Sequence, residues 1–255
     1  MKNMLPELVI FDMDGTLTES KSTADAEMIE LVKKLLEKTK IAVISGGGFS
    51  RFHEQFLVSF LIDVSGFDNL YLAALNGGTL YSYHIADWKK VYEDVLSEEE
   101  IKKIYDAFKT AFTEIGFVQD EKIYGTLIED RIGQVTFSGL GSEAPLEVKR
   151  TWDPDRKKRL ALADALKKHL PDFEIGICGM TSIDVSRKGI DKAYGVEKLA
   201  KFLSIPVSEM VFICDALFPG GNDQPVVKTG IKTISVTGPD DTKKIIKKLL
   251  AGEKV

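Results

Sequence analysis

Apolar and polar positions along this chain follow two periods. Short apolar-rich runs, LVIF (8–11), IAVIS (41–45), LYLAAL (70–75), MVFIC (210–214) and KTISV (232–236), read as strands buried on both faces, as a covered parallel sheet requires. Between the first two, STADAEMIELVKKLLEKT places Met28, Leu31, Val32, Leu35 and Leu36 at helical spacing, with Ser22 and Asp25 fitting a capping box. SRFHEQFLVSFL (50–61), DKAYGVEKLAKFL (191–203) and DDTKKIIKKLL near the end are helical by the same pattern. Strand and helix alternating in this way predict an α/β fold, a Rossmann-like doubly wound parallel sheet.

The middle of the chain breaks that alternation. SEEEIKKIYDAFKTAFTEIG (97–116) is an amphipathic helix opening on a capping box of Ser97 and Glu100. IYGTLIEDR and GQVTFSG then alternate apolar with polar residues, as half-exposed antiparallel strands do. A second helix is expected near 155–170, and FEIGIC and TSIDV flank a hairpin turn at Gly179–Met180. These elements predict an α+β module at 83–185 inserted into a core made of 1–82 and 186–255, joined through the turn formers of NGGTLYSY and SRKGID. Trp88 and Trp152 then fall in the module, in its core or on its surface.

Composition narrows the class. Over 255 residues, 44% hydrophobic and 29% charged residues are ordinary for a globular protein. A net charge of −5 gives no basic footprint for nucleic acid. Cys178 and Cys214 are far apart and in no CxxC pattern, so reduced thiols in a cytoplasmic protein are expected rather than a disulfide or zinc framework. No signal peptide is expected, and no apolar run nears the ~20 residues of a membrane span. The lysines of KKIIKKLL are read as facing water, and His53, His84 and His169 are isolated.

The candidate chemistry begins at VIFDMDGTLTES. Asp12 and Asp14 lie at the carboxyl end of the first strand, where open α/β sheets bind ligands, and residues i and i+2 share one face of an extended segment. Gly15 permits the tight turn away. FDMDGTLT resembles the nucleophile motif of the haloacid dehalogenase superfamily of phosphotransferases. That resemblance implies that Asp12 attacks phosphorus to form an aspartyl phosphate, and that Asp14 protonates the leaving oxygen and then activates the next acceptor.

Other segments fit that chemistry. The Ser45 hydroxyl and the backbone N–H groups from Gly46 onward, in VISGGG, suit phosphate oxygens. Lys192, at a helix start in GIDKAYG, supplies a fixed cation for a phosphate approaching Asp12. In CDALFPGGNDQP, Asp215 follows an apolar strand and Gly221, Asn222 and Asp223 follow in a glycine-rich loop. Asp12, Asp14, Asp215 and Asp223 gathered in one pocket would repel one another unless a hard divalent cation joined them. Oxygen-only donors favour Mg²⁺ over zinc. The expected ligands are Asp12, the Asp14 carbonyl and Asp215, with Asn222 or Asp223 acting directly or through water.

The resemblance narrows at YGTLIEDRIG, GMTSIDVSRKGIDKAYGVEKL and CDALFPGGND, which look like stretches of the eukaryotic-type phosphomannomutases, members of this superfamily with a large α/β cap. It implies that Arg131 binds the substrate's distal phosphate from the cap, and that Ser182 and Asp184 hold phosphate or sugar hydroxyls. It also implies that Lys192 pairs with the nucleophile and that Asn76, in LNGG, fills the family's Asn-Gly position. A homodimer through the cap is implied as well. The chain departs from the mutase pattern in three places. Ile132 replaces the asparagine after the cap arginine, Ser142 stands at a second cap arginine, and a third aligns near Lys149, with Arg150 adjacent. A mutase must hold a bisphosphate in both orientations, and losing a bidentate arginine is not conservative.

The sequence therefore predicts a cytoplasmic Mg²⁺-dependent phosphotransferase acting on a small phosphorylated metabolite such as a phosphosugar. Hydrolysis is the first expectation, with phosphomannomutase activity as the alternative. A receiver-like phosphoacceptor is opposed by the second acid at i+2 and by the inserted module. A non-catalytic binding scaffold is opposed by the presence of both aspartates, Lys192 and the Asp215/Asp223 pair.

Overall fold

The computed structural model describes residues 5–19, 22–60, 64–218 and 221–255. From the N-terminus these form β1 (Leu8–Asp12), α1 (Ala26–Leu36), β2 (Lys40–Ile44), α2 (Phe49–Gln55), β3 (Leu70–Ala74), β4 (Thr79–His84) and β5 (Asp87–Glu93). Next come α3 (Glu98–Glu114), β6 (Ile128–Asp130), β7 (Gln134–Ser138), α4 (Leu146–Trp152), α5 (Lys157–His169), β8 (Phe173–Cys178) and β9 (Ser182–Arg187). The chain closes with α6 (Lys192–Leu203), β10 (Met210–Cys214), β11 (Lys232–Ser235) and α7 (Pro239–Leu250).

Two compact units result, Met1–Glu93 with Ile190–Val255, and Asp94–Gly189. The core unit holds a seven-stranded sheet in the order β11-β10-β1-β2-β3-β4-β5. Its first five strands pair in parallel, and β4 and β5 join antiparallel. Val9 and Phe11 pack on one face with α1 and α7 residues, while Leu8 and Ile10 pack on the other with Val196 and Leu199 of α6. A doubly covered sheet leaves no polar face, which is why these strands read as continuous apolar runs.

Several boundaries differ from the sequence expectation. The inserted unit begins at Asp94 and ends at Gly189, rather than at 83 and 185. The cause is the β4–β5 hairpin, which follows the turn formers of NGGTLYSY yet stays in the core sheet, β4 pairing with β3 and β5 with β4. Trp88 accordingly belongs to the core unit, packed against Phe49, Phe67 and Tyr83. At α1, Asp25 is itself the N-cap, accepting from the Met28 amide at 2.8 Å, so the Ser22–Asp25 box does not form. The 50–61 pattern splits into α2 and a 3-10 turn, Leu57–Phe60; Leu61 lies outside the described residues.

The inserted unit is a four-stranded antiparallel sheet, β6-β7-β9-β8, with its own core of Ile104, Phe108, Phe137, Leu166, Ile183 and Val185. The Ser97–Glu100 capping box is formed, and β8 and β9 pair as the expected hairpin. Helix α4, started by Pro145, was not foreseen. Trp152, at its end, is buried and donates to Asp120 at 2.7 Å. A buried ion pair anchors α5. The Asp153 carboxylate accepts from Arg159 Nε at 2.8 Å and from the amides of Lys158 and Arg159. The Arg159 guanidinium also donates to the carbonyls of Asp153, Cys178 and Gly179, tying the helix start to the β8–β9 turn.

Candidate active site

The carboxyl ends of β1, β2, β3 and β10 meet at one edge of the core sheet. Register pairs Asp12 with Ile44, the residue before Ser45, and Ile44 with Ala73. After Asp12 the chain winds tightly, the amides of Leu17 and Thr18 donating to the Met13 carbonyl at 3.0 Å. Gly15 turns with φ +80, and a Cβ there would lie 2.5 Å from Asp215 Oδ2. Only a residue without a side chain brings the two acidic segments this close. Thr16 Oγ1 donates to Asp215 Oδ1 at 3.3 Å, a contact that the DGT motif contained but sequence reasoning did not use.

Lys192, the first residue of α6, is the hinge of the electrostatics. Asp191 caps the helix by accepting from the Tyr194 amide, which fixes where Lys192 begins. The ammonium donates to Asp12 Oδ1 at 2.6 Å and to Asp223 Oδ1 at 2.5 Å. All three residues are buried, at 1%, 4% and 0% exposure. The second Asp223 oxygen accepts from the Ala216 amide at 3.0 Å. Asn222 is exposed beside it, and Pro219 and Gly220 of the same loop lie outside the described residues.

Oxygens of Asp12, Asp215 and Asp223 all lie within 4.8 Å of one another. Burial pushes the Asp12 carboxyl up to about 7, against the pull of Lys192 and with the help of the Asp223 charge. Burial alone would lower the Lys192 ammonium, but the Asp12 and Asp223 charges outweigh it and hold the lysine above its usual value. Three carboxylates against one ammonium leave the cluster about two positive charges short. An oxygen-only donor set with that deficit fits Mg²⁺, and contains neither the thiolate nor the imidazole that zinc favours. With both Asp223 oxygens already engaged, Asp12 and Asp215 are the better placed donors.

Two loops at the ends of β2 and β3 border the acids. Ser45 is buried and its Oγ accepts from the Gly47 amide at 3.1 Å. Asn76 lies in the left-handed region (φ 57) next to Leu75 (φ 53), conformations that cost free energy outside glycine. The Asn76 amide donates to the Ser45 carbonyl at 2.9 Å, and the Leu75 amide to the Gly47 carbonyl at 3.0 Å. A Cβ on Gly46 would stand 3.5 Å from Asn76 Oδ1, so the two loops are braced together. Gly77 follows with φ +92, its missing Cβ only 2.2 Å from the Gly195 Cα of α6. This backbone contact sets α6, and so Lys192, against the loop. Asp14 meets Arg51 of α2, with Nη1 3.3 Å from Oδ2. Arg51 was missed by sequence reasoning, its partner lying 37 residues away.

The inserted unit carries the remaining sequence candidates. Alternation along β7 and β9 puts Thr136 and Asp184 opposite each other, and Ser138 opposite Ser182. Thr136 Oγ1 donates to Asp184 at 2.7 Å, and the Ser138 and Ser182 hydroxyls are 3.4 Å apart. Burial, then the Asp184 charge, pushes the Cys178 thiol up to about 12. Arg131 follows β6 and is paired with Glu129 through Nε at 3.0 Å and Nη2 at 2.5 Å. Ser142 is tied into a local turn, its Oγ accepting from the Thr126 amide and its own amide donating to the Thr126 carbonyl. Lys149, half-buried, and Arg150, exposed, lie in the last turn of α4.

Comparison with known proteins follows the same outline. A family model for eukaryotic phosphomannomutase matches residues 28–252. A phosphomannomutase of Schizosaccharomyces pombe is 31% identical over 252 residues, covering 95% of this chain and 93% of its own. One from Saccharomyces cerevisiae is 32% identical over 251 residues, covering 95% and 93%. Among solved structures, a haloacid dehalogenase-like hydrolase from Bacteroides thetaiotaomicron superposes with a TM-score of 0.65 at 17% identity, covering 96% of this chain and 99% of that one. The last likeness bears on the fold alone. The chain belongs to the eukaryotic phosphomannomutase family, a branch of the haloacid dehalogenase superfamily of phosphotransferase enzymes.

Proposed function

We propose that the chain transfers the phosphoryl group of a hexose phosphate through an aspartyl phosphate at Asp12. The observation that carries this reading is the Lys192 ammonium held between Asp12 and Asp223 in a buried cluster that also contains Asp215. A carboxylate fixed at a strand end, with its charge balanced from one side, is oriented for attack from the other. Mg²⁺ bound by Asp12, Asp215 and the Asp14 carbonyl, with Asn222 or Asp223 in support, would neutralise the approaching phosphate. Ser45 and the Gly46 amide receive phosphoryl oxygens, and Asn76 braces that loop. Asp14 gives its proton to the leaving oxygen and takes one from the next acceptor. In the inserted unit, read as the cap, Ser182 and Asp184 address sugar hydroxyls or phosphate, and Arg131 with Lys149 or Arg150 addresses the distal phosphate. Two unpaired cysteines suit a cytoplasmic enzyme, and a homodimer through the cap accompanies the family reading.

The acceptor decides the outcome. Identity of about a third to named phosphomannomutases along nearly the whole chain supports isomerisation over the hydrolysis expected from the sequence. Hydrolysis keeps one specific observation in its favour. Ser142, at the position of a mutase arginine, is short and bonded within its own turn, so it offers no cation to a second phosphate. The test supplies mannose 1-phosphate or glucose 1-phosphate with Mg²⁺ and a catalytic amount of the 1,6-bisphosphate, followed by phosphorus NMR. Formation of the 6-phosphate well ahead of inorganic phosphate supports the mutase. Inorganic phosphate as the main product supports the hydrolase, and neither product means the phosphosugar assignment is wrong.

A further inference from the structure

We infer that Gly176 and Thr136 set which sugar the inserted unit accepts: Thr136 orients Asp184 to receive one ring hydroxyl, and Gly176 leaves the space beside Asp184 for the carbon that bears it. The inference rests on the proposed role of Asp184 toward the sugar phosphate and adds two residues to it. The β6-β7-β9-β8 sheet has one apolar face, where Phe137, Ile183 and Val185 join the core, and one polar face. On the polar face the register aligns Glu129, Thr136, Asp184 and Gly176, one from each strand. Ser138, Ser182 and Cys178 form the next row.

Asp184 is held in a defined orientation. Thr136 is 1% exposed, and its Oγ1 donates to Asp184 Oδ1 at 2.7 Å. Gln134 Nε2 donates to the same Oγ1 at 3.2 Å, which turns the hydroxyl proton toward the carboxylate. The Cys178 thiol hydrogen-bonds to Asp184 from the neighbouring row. An ionised carboxylate carries about four acceptor positions and no donor. Asp184 can therefore take a further O–H beside these two groups, and its charge repels a phosphate. A sugar hydroxyl suits it and a phosphate does not.

Gly176 lies directly opposite Asp184 on β8. A glycine inside a strand weakens it, and usually marks a bulge, a tight bend, a closely packed backbone or an approaching ligand. β8 and β9 pair without a register shift from Phe173–Arg187 to Cys178–Ser182, so no bulge is present. The backbone at Gly176 is not in the left-handed region. Among the described residues a Cβ there would meet only Cys178 Sγ at 3.7 Å and the Asp184 carbonyl oxygen at 4.0 Å, both ordinary contacts. Neither the backbone nor the packing asks for glycine at this position. The place it leaves open adjoins the one carboxylate of the row that a buried hydroxyl orients, and there a ring carbon and its hydroxyl can approach the sheet.

The experiment uses the full chain with Mg²⁺ and a catalytic amount of the 1,6-bisphosphate, and compares Gly176→Ala, Gly176→Val, Thr136→Val, Thr136→Ser and Asp184→Asn with the parent. Phosphorus NMR gives kcat/KM for consumption of mannose 1-phosphate and of its 2-deoxy, 3-deoxy and 4-deoxy analogues, and each protein is also melted thermally. Gly176→Val should lower kcat/KM on mannose 1-phosphate by roughly tenfold to a hundredfold, with Gly176→Ala between it and the parent. The melting temperature of both should hold or rise, because valine and alanine suit a strand better than glycine does. Thr136→Val should cost roughly tenfold, the share of a hydrogen bond to a charged group, and Thr136→Ser should recover most of it. Both losses should shrink to within about twofold on one and the same deoxy analogue, the one lacking the hydroxyl that Asp184 receives. Losses that persist equally on every analogue, or a Gly176→Ala protein that melts well below the parent, would make these residues structural and overturn the inference, as would parental kinetics in the Gly176 and Thr136 variants. Asp184→Asn separates the two layers. If it loses activity and spares one analogue while the Gly176 and Thr136 variants do not, this inference alone fails. If it matches the parent on every sugar, or the parent consumes none of them, the proposed role of Asp184 fails with it.

Discussion

Each unit buries a cation among acids, and the two burials are built differently. In the inserted unit Arg159 faces Asp153 one to one, and its remaining donors end on the carbonyls of Asp153, Cys178 and Gly179. In the core unit Lys192 serves two carboxylates, and a third, Asp215, stands in the same cluster. The first is balanced within the protein and joins a helix to a hairpin turn. The second is balanced only when something positive is added. Buried charge is costly in either place; the difference lies in whether the chain itself completes the set. Burial is thus balanced by the chain itself in one unit and left short of positive charge in the other.

The largest expected effect separates the two most sharply. Asp12→Asn should reduce phosphoryl transfer by about 10⁴-fold or more, because an amide cannot form the phosphoenzyme. The folded protein should remain, since removing a negative charge from an overcharged cluster relieves it. Phosphate release near the parental rate from a folded Asp12→Asn protein would end the nucleophile assignment. Next, Lys192→Met and Arg159→Met should each cost about 3–5 kcal/mol of stability by stranding buried acids. Denaturant melts with and without Mg²⁺ then sharpen the contrast. The cation should restore part of the loss at Lys192, where it can enter the cluster, and none of the loss at Arg159. Equal recovery in both would break the comparison.

A smaller effect follows from the Asp12 carboxyl, raised by burial to about 7. Its folded value is above the unfolded one, so the metal-free protein gains stability from Asp12 on the acid side. That contribution is lost as pH rises through about 7. Mg²⁺ needs the deprotonated carboxylate, so its affinity should fall about tenfold per pH unit below 7 and level off above. Titration calorimetry from pH 5.5 to 8 tests this, and a flat profile counts against Asp12 as a ligand. The smallest effect belongs to the cap. Arg131→Ala should raise KM for a phosphosugar by no more than the roughly 1.5–3 kcal/mol of a charge-assisted bond, because Glu129 already engages the guanidinium. An aryl phosphate should show no change, and steady-state kinetics on both substrates decides.

Much of the core was legible because its signals are local. A fully covered strand must be apolar throughout, and a DxDGT turn needs its residues in one stretch, so β1, β2, β3, β10 and the acids could be read directly. Lys192 was legible only as one piece of a pattern, since its contacts span 180 and 31 residues. Arg51 was not legible. Its partner is 37 residues away, and nothing in SRFHEQ marks which face of the helix meets an acid. The module was started at 83, so β5 fell in the wrong unit, because the turn formers of NGGTLYSY mark a break without reporting which sheet the next strand joins; β5 pairs with β4 of the core sheet. Ser142 was recognised as a departure from the mutase pattern, but its local bonds to Thr126 needed coordinates. Helix α4 begins at a proline after a glycine-rich turn, a context that predicts a break and not a start.

The contact between Gly77 and Gly195 has a consequence for how this protein would look to a selection experiment. At Gly77 any side chain would meet main-chain atoms of α6, so a compensating change elsewhere cannot make room. At Gly195 it would meet Ile44 Cδ1 at 2.5 Å and the Asn76 carbonyl at 2.8 Å. In a pool of random variants, codons 77 and 195 should therefore be depleted about as deeply as codon 12, although neither glycine touches a substrate. A ranking of positions by fitness alone would count this spacer among the catalytic residues. Scoring abundance separately from turnover would pull it out again, since its variants should vanish from the first measurement and the Asp12 variants only from the second.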